Sequence, residues 1–440
     1  MTFHLGYGTN GFANHRLDDA LAIIADLGYT GVALTLDHHH LDPFADDISR
    51  CTARLAARLA ELDLRVVVET GARYLLDPRR KHHPTLVSEA QDVRVDFLVR
   101  ATRIAADLGA DCVSFWSGAG DSWDRLKSGV AAVLDGSCDV PFGLEPEPGM
   151  LVERLADAVR LRAELGDPER LRITLDVGHC VAVEPLDAAT CIRQAGELLV
   201  NVQLDDMLPG VHEHLEFGEG RLDLAVTLGA LTDIGYTGVA AVELSRHSHA
   251  APEVARRSFD ALRAASWLAD AERTVRVEPD SLPRLFAVAG RETRSGADEA
   301  RIRLVIAFAE AAPDVAEGLT ALYRHGSSSE RRGVLRALAE VGGEAPDAGL
   351  TLVKDALRTN ETGLVTAALG AFASQHLDQH SWRHGVLKCL FMGIPLDVVA
   401  GLERRSDAEL LRMVAAFADE RRAAGRPVPD DALTLLGKAL

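Results

Sequence analysis

The sequence predicts an α/β protein: a (β/α)8 TIM barrel followed by an all-α, helical-repeat-like domain. Over residues 3–270, eight short β-rich runs alternate with longer segments of helical period, the pattern of a parallel sheet built from βα units. Eight strands in roughly 250 residues is the size of a closed barrel. From about residue 284 the strand pattern is absent and successive amphipathic helices follow.

The predicted strands are rich in β-branched and aromatic residues and end in polar ones. They are FHLGYGTN from Phe3, TGVALTLDHHH from Thr30, LRVVVETGARY from Leu64, DCVSFWSG from Asp111, VPFGLEPEPG from Val140, LRITLDVGHC from Leu171, LVNVQLDD from Leu199 and GVAAVELSRH from Gly238. Parallel barrel strands end at one face, where active sites of this fold lie, so we expect their polar ends to meet there.

The segments between the strands predict helices that end at glycine. A glycine adopts the left-handed conformation that often closes a helix. We expect such glycines at Gly28, Gly109, Gly166 and Gly235. The heptapeptide DLGYTGV at Asp26–Val32 recurs as DIGYTGV at Asp233–Val239. This short repeat indicates that the barrel is built from similar units.

A domain boundary is predicted where both periodicities fail. The barrel is assigned to residues 1–270, a linker to residues 271–283 (AERTVRVEPDSLP) and a helical domain to residues 284–440. Within the last, the helical pair that starts at Asp314 is echoed by a second pair from Asp347. Such an echo predicts stacked helical hairpins, as in an α-solenoid.

Three histidines of the helical domain are spaced for one helix face. His376, His380 and His384 follow one another at intervals of four, so a single helix would place three imidazoles on one side. That arrangement predicts either a ligand site or a face that contacts another helix.

Composition excludes several classes of partner. The formal charge is −19, from 66 acidic and 47 basic residues, which disfavours nucleic acid and anionic lipid. The six cysteines include no CxxC pair, which predicts reduced thiols and a cytoplasmic protein. The sequence shows neither a secretion signal nor an apolar run of about 18 residues, so we expect neither secretion nor membrane insertion. Homo-oligomerisation is compatible with these features.

Candidate site residues cluster after the fifth to eighth predicted strands. They are Glu145, Glu147, Asp176, His179, Gln203, Asp205, Asp206, Glu243, Arg246 and His247, with His212 and His214 in the loop after the seventh strand. Carboxylates gathered at one end of a barrel repel one another unless a divalent cation neutralises them. Oxygen ligands with one or two imidazoles suit Mn, Mg, Co, Fe or Zn. The sequence therefore predicts one divalent metal ion.

Four of these stretches resemble a known family. They are LDVGH at Leu175–His179, VQLDD at Val202–Asp206, VHEHLEFGEGRLD at Val211–Asp223 and VELSRH at Val242–His247. Together they resemble the xylose-isomerase-like TIM barrel superfamily over roughly residues 3–270. That group includes sugar phosphate isomerases and epimerases, inosose isomerases and dehydratases, and family 2 AP endonucleases.

The resemblance implies a metal cage of Glu145, Asp176, Gln203 and Glu243. Family members usually have histidine where Gln203 stands. An amide oxygen is a neutral and weaker ligand, so either the metal affinity drops or His214 compensates.

The resemblance also implies a mechanism. Adjacent carbonyl and hydroxyl oxygens of a sugar would chelate the metal, which acidifies the proton on the intervening carbon. Glu145 and Glu243 would exchange the roles of base and acid, and His179 would bond a substrate hydroxyl. Substrate contacts are also assigned to Trp116, Glu147, His212 and Arg246. Trp116 would either stack on a sugar ring or fill the wall of the pocket.

The helical domain resembles the EboA family over roughly residues 284–440. The stretches that carry this likeness begin at Gln375 and Gly401. The family belongs to a bacterial gene cluster linked to processing or export of secondary-metabolite precursors. The likeness implies pathway proteins as partners and a place in specialised metabolism.

Several functions remain open. The first is an isomerase or epimerase of a polyhydroxylated small molecule, such as a sugar or cyclitol. A scaffold with a catalytically weak cage is the second, since Gln203 weakens metal binding. Dehydration would use the same cage. AP-endonuclease chemistry is disfavoured because the fourth strand ends FWSG, without the histidine it needs.

Overall fold

The computed structural model describes residues 2–437. It divides into two compact units, with the boundary between Ser266 and Trp267. Met1 of the predicted barrel domain and residues 438–440 of the predicted helical domain lie outside the described residues.

The first unit is a closed barrel of eight parallel strands. They are β1 His4–Gly8, β2 Gly31–Thr35, β3 Arg65–Glu69, β4 Val113–Trp116, β5 Phe142–Glu145, β6 Leu171–Asp176, β7 Leu199–Leu204 and β10 Val239–Val242. Each strand pairs with its neighbours in sequence, and β10 pairs with β1 to close the ring. The predicted fold class is confirmed, and every predicted strand lies in the barrel.

An antiparallel hairpin follows β7 and was not predicted. It consists of β8 Asp206–Leu208 and β9 Val211–Leu215. Because the hairpin starts where β7 ends, it carries His212 and His214 to the carboxyl-terminal end of the barrel.

Small residues close the barrel interior below the strand ends. Ala33, Val67 and Ala241 belong to one buried cluster. Side chains alternate along a strand, so the residue two positions further on shares the same face. Those residues are Thr35, Glu69 and Glu243. The pleat therefore points polar side chains into the carboxyl-terminal end of the barrel, which we call the barrel mouth.

Helices surround the strands of the first unit. They are α1 Leu17–Asp26, α2 Ile48–Glu61, α3 Gln91–Leu108, α4 Trp123–Gly136, α5 Leu155–Glu164, α6 Val177–Val183, α7 Ala188–Ala195, α8 Leu224–Asp233 and α9 Ala251–Val277. The four glycines predicted to end helices, Gly28, Gly109, Gly166 and Gly235, all have positive φ, from 64° to 99°. None of the helices in the described residues is long and apolar enough to cross a membrane.

The second unit is helical throughout its described elements. After the end of α9 come α10 Leu282–Thr293, α11 Ala297–Ala309, α12 Val315–His325, α13 Ser328–Val341, α14 Pro346–Ala356, α15 Thr362–Ala368, α16 Ala371–His376, α17 Gln379–Met392, α18 Leu402–Arg405, α19 Ala408–Ala423 and α20 Asp430–Gly437. α12 packs on α13 and α14, while α13 packs on α15. The two echoed segments thus form adjacent helical pairs.

The stretch expected to be a linker, residues 271–283, is mostly helical. α9 continues to Val277, and α10 begins at Leu282. Ala271 and Val275 are buried one turn apart, and Glu272 forms an ion pair with Arg303. Burial of this face keeps the segment helical although its sequence lacks a clear period.

The prediction of one helix with three histidines is wrong. His376 ends α16, whereas His380 and His384 lie in α17. Leu377 has extended backbone, and the Asp378 carboxylate accepts a hydrogen bond of 2.8 Å from the Ser381 amide. This N-cap starts a new helix, because a capping residue has non-helical geometry. The His376 ring stacks on Phe372 instead.

Asp206 organises the loop that follows the hairpin. Its buried carboxylate accepts hydrogen bonds from the amides of Met207, Gly218, Gly220 and Leu222 at 2.8–3.0 Å. Backbone donors at both ends of the segment from Met207 to Leu222 therefore share one side chain.

We predict that Asp206→Ala lowers the free energy of unfolding by about 3 kcal/mol, because removing an acceptor leaves buried donors without partners. Urea denaturation followed by circular dichroism measures the change. Glu219→Ala, an exposed position in the same loop, should stay close to wild type. Equal stability of Asp206→Ala and wild type would show that this carboxylate does not hold the loop.

Candidate active site

The barrel mouth contains a cavity of about 280 Å³. Of the residues assigned to the site from sequence, Trp116, Glu145, Glu147, His179, Gln203, His212, His214, Glu243 and Arg246 line it. Asp176 does not line the cavity and is completely buried, but its carboxylate lies next to three lining histidine and glutamate side chains, as described below.

Two buried oxygens at adjacent strand ends have no hydrogen-bond partner. They are Asp176 Oδ2 and Gln203 Oε1, and the two residues face each other in the register of β6 and β7. Asp176 Oδ1, in contrast, caps α6 by accepting from the His179 amide at 3.0 Å. Buried polar atoms are almost always bonded in folded proteins, so these two acceptors are groups that could hold a cation.

Asp176 belongs to two groups of side chains that could share a metal ion. Potential ligand atoms of Glu145, Asp176 and His179 lie within 4.8 Å of one another, as do those of Asp176, Asp205 and His214. His179 Nε2 is 3.8 Å and His214 Nδ1 is 4.0 Å from Asp176 Oδ2. A cation beside Asp176 would therefore be within reach of several ligands.

The glutamates of the cavity interact unfavourably in the absence of a cation. Burial raises the pKa of Glu145 well above its usual range, and the charge of Glu243 raises it further. Burial also raises the pKa of Glu243, although Asn10 Nδ2 donates to Glu243 Oε1 at 2.8 Å. Burial and the charge of Glu243 raise the pKa of Glu147 to about 8. Positive charge at this position would relieve all three effects.

Among the three histidines of the site, the pKa of His214 shifts in the opposite direction to those of His179 and His212. His179 Nδ1 lies 3.1 Å from the carbonyl oxygen of Pro146 and must donate to it, which leaves Nε2 as an acceptor. His212 Nε2 lies 3.1 Å from that atom. Burial lowers the pKa of both, that of His212 to about 4. Burial alone would also lower the pKa of His214, but its contact with Asp205 raises it to about 10.

Glu69 is a buried residue of the site, although the sequence pattern left it open between a site residue and an ion-pair partner. It ends β3 and lines the cavity. Its partner is an amide, since Asn201 Nδ2 donates to Glu69 Oε1 at 2.9 Å. Burial raises its pKa to about 7, while the amides of Asn201 and Gln203 oppose that rise. The feature of the sequence that indicates a site residue here is the position of Glu69 at the end of a strand.

Further lining residues come from the early strands and their loops. They are Asn10, Thr35, Thr70, Gly71, Arg73, Lys81, His82, Ser114 and Ser245. Asn10 and Arg73 are not among the site residues that the sequence predicts. His38, His39 and His40 are not among the residues that line this cavity.

Two of the predicted substrate contacts are engaged by other side chains. The Arg94 guanidinium lies 4.7 Å from the centre of the Trp116 ring, and His82 packs against its edge. Arg246 forms an ion pair of 2.8 Å with Glu213 of the hairpin. Trp116 therefore has only part of its surface available to a ligand.

Two protein families match the sequence. Residues 21–265, more than half of the chain, match the family described as xylose isomerase-like TIM barrel. The chain belongs to the xylose isomerase-like TIM barrel family. Residues 294–437 match a second family, described as metabolite traffic protein EboA.

Individual relatives are more distant. The chain is 33% identical over 78 residues to the uncharacterized protein MJ1311 of Methanocaldococcus jannaschii, a stretch that is 18% of this chain and 27% of that protein. The match thus spans about a quarter of the length of this curated relative.

Similar solved structures include three proteins. An L-ribulose 3-epimerase is 19% identical, with 62% of this chain and 97% of that chain covered and a TM-score of 0.49. The 3-keto-D-glucoside 4-epimerase of E. coli is 17% identical, with 59% and 99% covered and a TM-score of 0.47. An IolI protein with a bound zinc atom is 17% identical, with 58% and 95% covered and a TM-score of 0.48.

We predict that the stability of the metal-free protein falls as the pH rises from about 4.5 to about 8. A carboxyl group whose pKa is higher in the folded state binds more protons there, so folding is favoured at low pH and this contribution is lost through the folded pKa. For Glu147 that window ends near its pKa of about 8. Glu147→Gln should therefore reduce the decline.

Thermal unfolding of chelator-treated protein at pH 5 and pH 8 measures this effect. Glu153→Gln, a glutamate outside the cavity lining, is the matched control and should follow wild type. A decline of the same size in Glu147→Gln and wild type would contradict the proposed burial of this carboxyl group.

Proposed function

We propose that the barrel is a divalent-metal-dependent isomerase or epimerase of a polyhydroxylated carbonyl compound. The observation that carries this proposal is the pair of unpartnered buried oxygens, Asp176 Oδ2 and Gln203 Oε1. They lie at adjacent strand ends in a cavity that Glu145 and Glu243 also line. Membership of the xylose isomerase-like TIM barrel family supports the same function.

The donor set fits a divalent cation. Glu145, Asp176, Gln203 and Glu243 would hold it, with His214 as a further ligand from the hairpin. Oxygen donors with one imidazole suit Mn, Mg, Co, Fe or Zn. When bound, such an ion polarises the carbonyl and the adjacent hydroxyl of the substrate, which acidifies the proton between them.

Two glutamates would move that proton. Glu145 ends β5 and Glu243 follows β10, so they reach the cavity from different sides of the barrel. One carboxylate would remove the proton as base, and the other would return a proton as acid. Asn10 fixes Glu243 by its hydrogen bond to Oε1, so the rotamer of this group is set before substrate binds.

Other residues would orient the substrate. His179 is held by the carbonyl of Pro146 and presents Nε2 as an acceptor, to which a substrate hydroxyl would donate in place of His212 Nε2. Glu147, His212 and Arg246 line the same cavity, and the exposed part of Trp116 would contact the carbon skeleton.

We assign catalysis to the barrel, residues 1–270, and recruitment of proteins from the same pathway to the helical residues 284–440. The match to a metabolite traffic family supports this division, and specialised metabolism is the setting that it favours.

We predict that the purified protein binds one divalent ion per chain and that Asp176→Asn loses it. The variant removes the charge of a buried ligand but keeps its volume. Elemental analysis by mass spectrometry after dialysis measures the stoichiometry. Asp139→Asn, at an exposed position, should retain the metal. Wild-type protein without stoichiometric metal would contradict the enzyme proposal and favour a scaffold.

We also predict that Glu145→Gln slows exchange of the substrate proton with solvent by about a hundredfold or more, as expected for loss of a general base. Ketoses and inososes incubated in D2O with metal-loaded protein would report this exchange by NMR. Glu169→Gln lies before β6 at the other end of the barrel and should behave as wild type. Exchange that is unaffected by Glu145→Gln would remove this residue from the proton path.

A further inference from the structure

We infer that the substrate carries an anionic group, a phosphate or a carboxylate, which Arg73 and Lys81 bind at the edge of the cavity. The inference rests on the proposed function and names the class of substrate. Both cations belong to the long loop between β3 and α3, residues 70–90, and both line the cavity.

Arg94 of α3 holds this loop over the barrel mouth. It is buried, and its guanidinium donates to the carbonyl oxygens of Thr70 at 2.9 Å, His82 at 3.0 Å and Pro84 at 2.9 Å. Three acceptors separated along the chain are thereby fixed to one side chain. Such a buried cation, satisfied only by loop carbonyls, indicates that the position of the loop matters.

The loop then folds back so that its two cations become neighbours. The His82 amide donates to the carbonyl oxygen of Arg73 at 2.5 Å, and the His82 ring bonds the carbonyl oxygen of Gly71 at 2.6 Å. Lys81 directly precedes His82, so this backbone pairing brings Lys81 close to Arg73 although seven residues separate them.

Neither cation has a carboxylate within 4.0 Å in the described part of the chain, residues 2–437. The hydrogen bond formed by the Arg73 side chain goes to the carbonyl oxygen of Asn10 at 3.4 Å. Arg246 differs, because Glu213 already neutralises it. A partly buried arginine and an exposed lysine that share a rim and face a cavity suit a ligand with two or three oxygens and a negative charge.

The alternative role of these cations is to balance the cavity glutamates. Burial raises the pKa of Glu243 and Glu147, and the charges of Arg73 and Lys81, respectively, offset part of that rise without forming an ion pair. If the cage residues bind a cation, the glutamates no longer need Arg73 and Lys81 to balance their charge, and both side chains are left for a ligand. If the two cations only balanced the glutamates, removing them would change the binding of neutral and anionic ligands alike. If they form an anion site, removing them would change the binding of anionic ligands only.

The test uses inorganic phosphate and acetate as probes, with glycerol as the neutral probe. Isothermal titration of the metal-loaded full-length chain at low salt measures binding. Phosphate is expected to bind wild type, and Arg73→Met and Lys81→Met should each weaken it by about tenfold, as for loss of a charged hydrogen bond. Arg73→Lys keeps the charge and should retain most of the affinity. Tighter binding of phosphate than of acetate would assign a phosphate group to the substrate, and tighter binding of acetate would assign a carboxylate.

Arg80→Met is the matched control, because Arg80 is an exposed cation of the same loop outside the cavity lining. It should bind phosphate as wild type does. The inference would be overturned if phosphate did not bind. It would also be overturned if wild type, Arg73→Met and Lys81→Met bound phosphate equally well, as they would if phosphate bound only to the metal. Metal content measured on the same samples separates this failure from failure of the proposed function, which predicts stoichiometric metal in all of them.

Discussion

Repulsion among buried carboxylates is the constraint on which this site depends. Parallel strands in a closed barrel end at one face, and the alternation of side chains directs one polar residue from several strands into the same small volume. Glu69, Glu145 and Asp176 are buried there, and Glu243 is partly buried beside them. Burial raises the pKa of the three glutamates, and positive charge at this point would favour their ionised forms.

Side chains of the protein offset only part of this repulsion among the carboxylates. Asn201 donates to Glu69, Asn10 donates to Glu243, and His214 contacts Asp205. Among the buried oxygens that remain without partners are Asp176 Oδ2 and Gln203 Oε1. Amides supply direction but no charge, which is why a cation is a better explanation of the two free oxygens than a further hydrogen bond. The glutamine at position 203 fits this interpretation, since its oxygen is one of the two.

Much of the barrel could be predicted from sequence because its signals are local. The period of two along each strand and the glycines at helix ends depend on neighbouring residues. The strand-end carboxylates followed from topology alone. The hairpin β8–β9 was missed because β8 has only three residues, too few to show a period.

Non-local contacts explain the remaining differences. Burial of Ala271 and Val275 makes the expected linker helical, and the N-cap at Asp378 divides the expected histidine helix. Arg73 could not be placed in the cavity without the contacts that Arg94 makes to loop residues ten or more positions away along the chain.

Anomalous diffraction from crystals grown with Mn²⁺ or Co²⁺ tests the central claim most directly, because it locates the cation without reference to activity. We expect a single strong peak at the barrel mouth, at about 2.0–2.3 Å from Asp176 Oδ2 and Gln203 Oε1. Carboxylate oxygens of Glu145 and Glu243 should be further ligands of the same ion. No peak at Asp176, or a peak held only by the rings of His179, His212 and His214, would contradict the account.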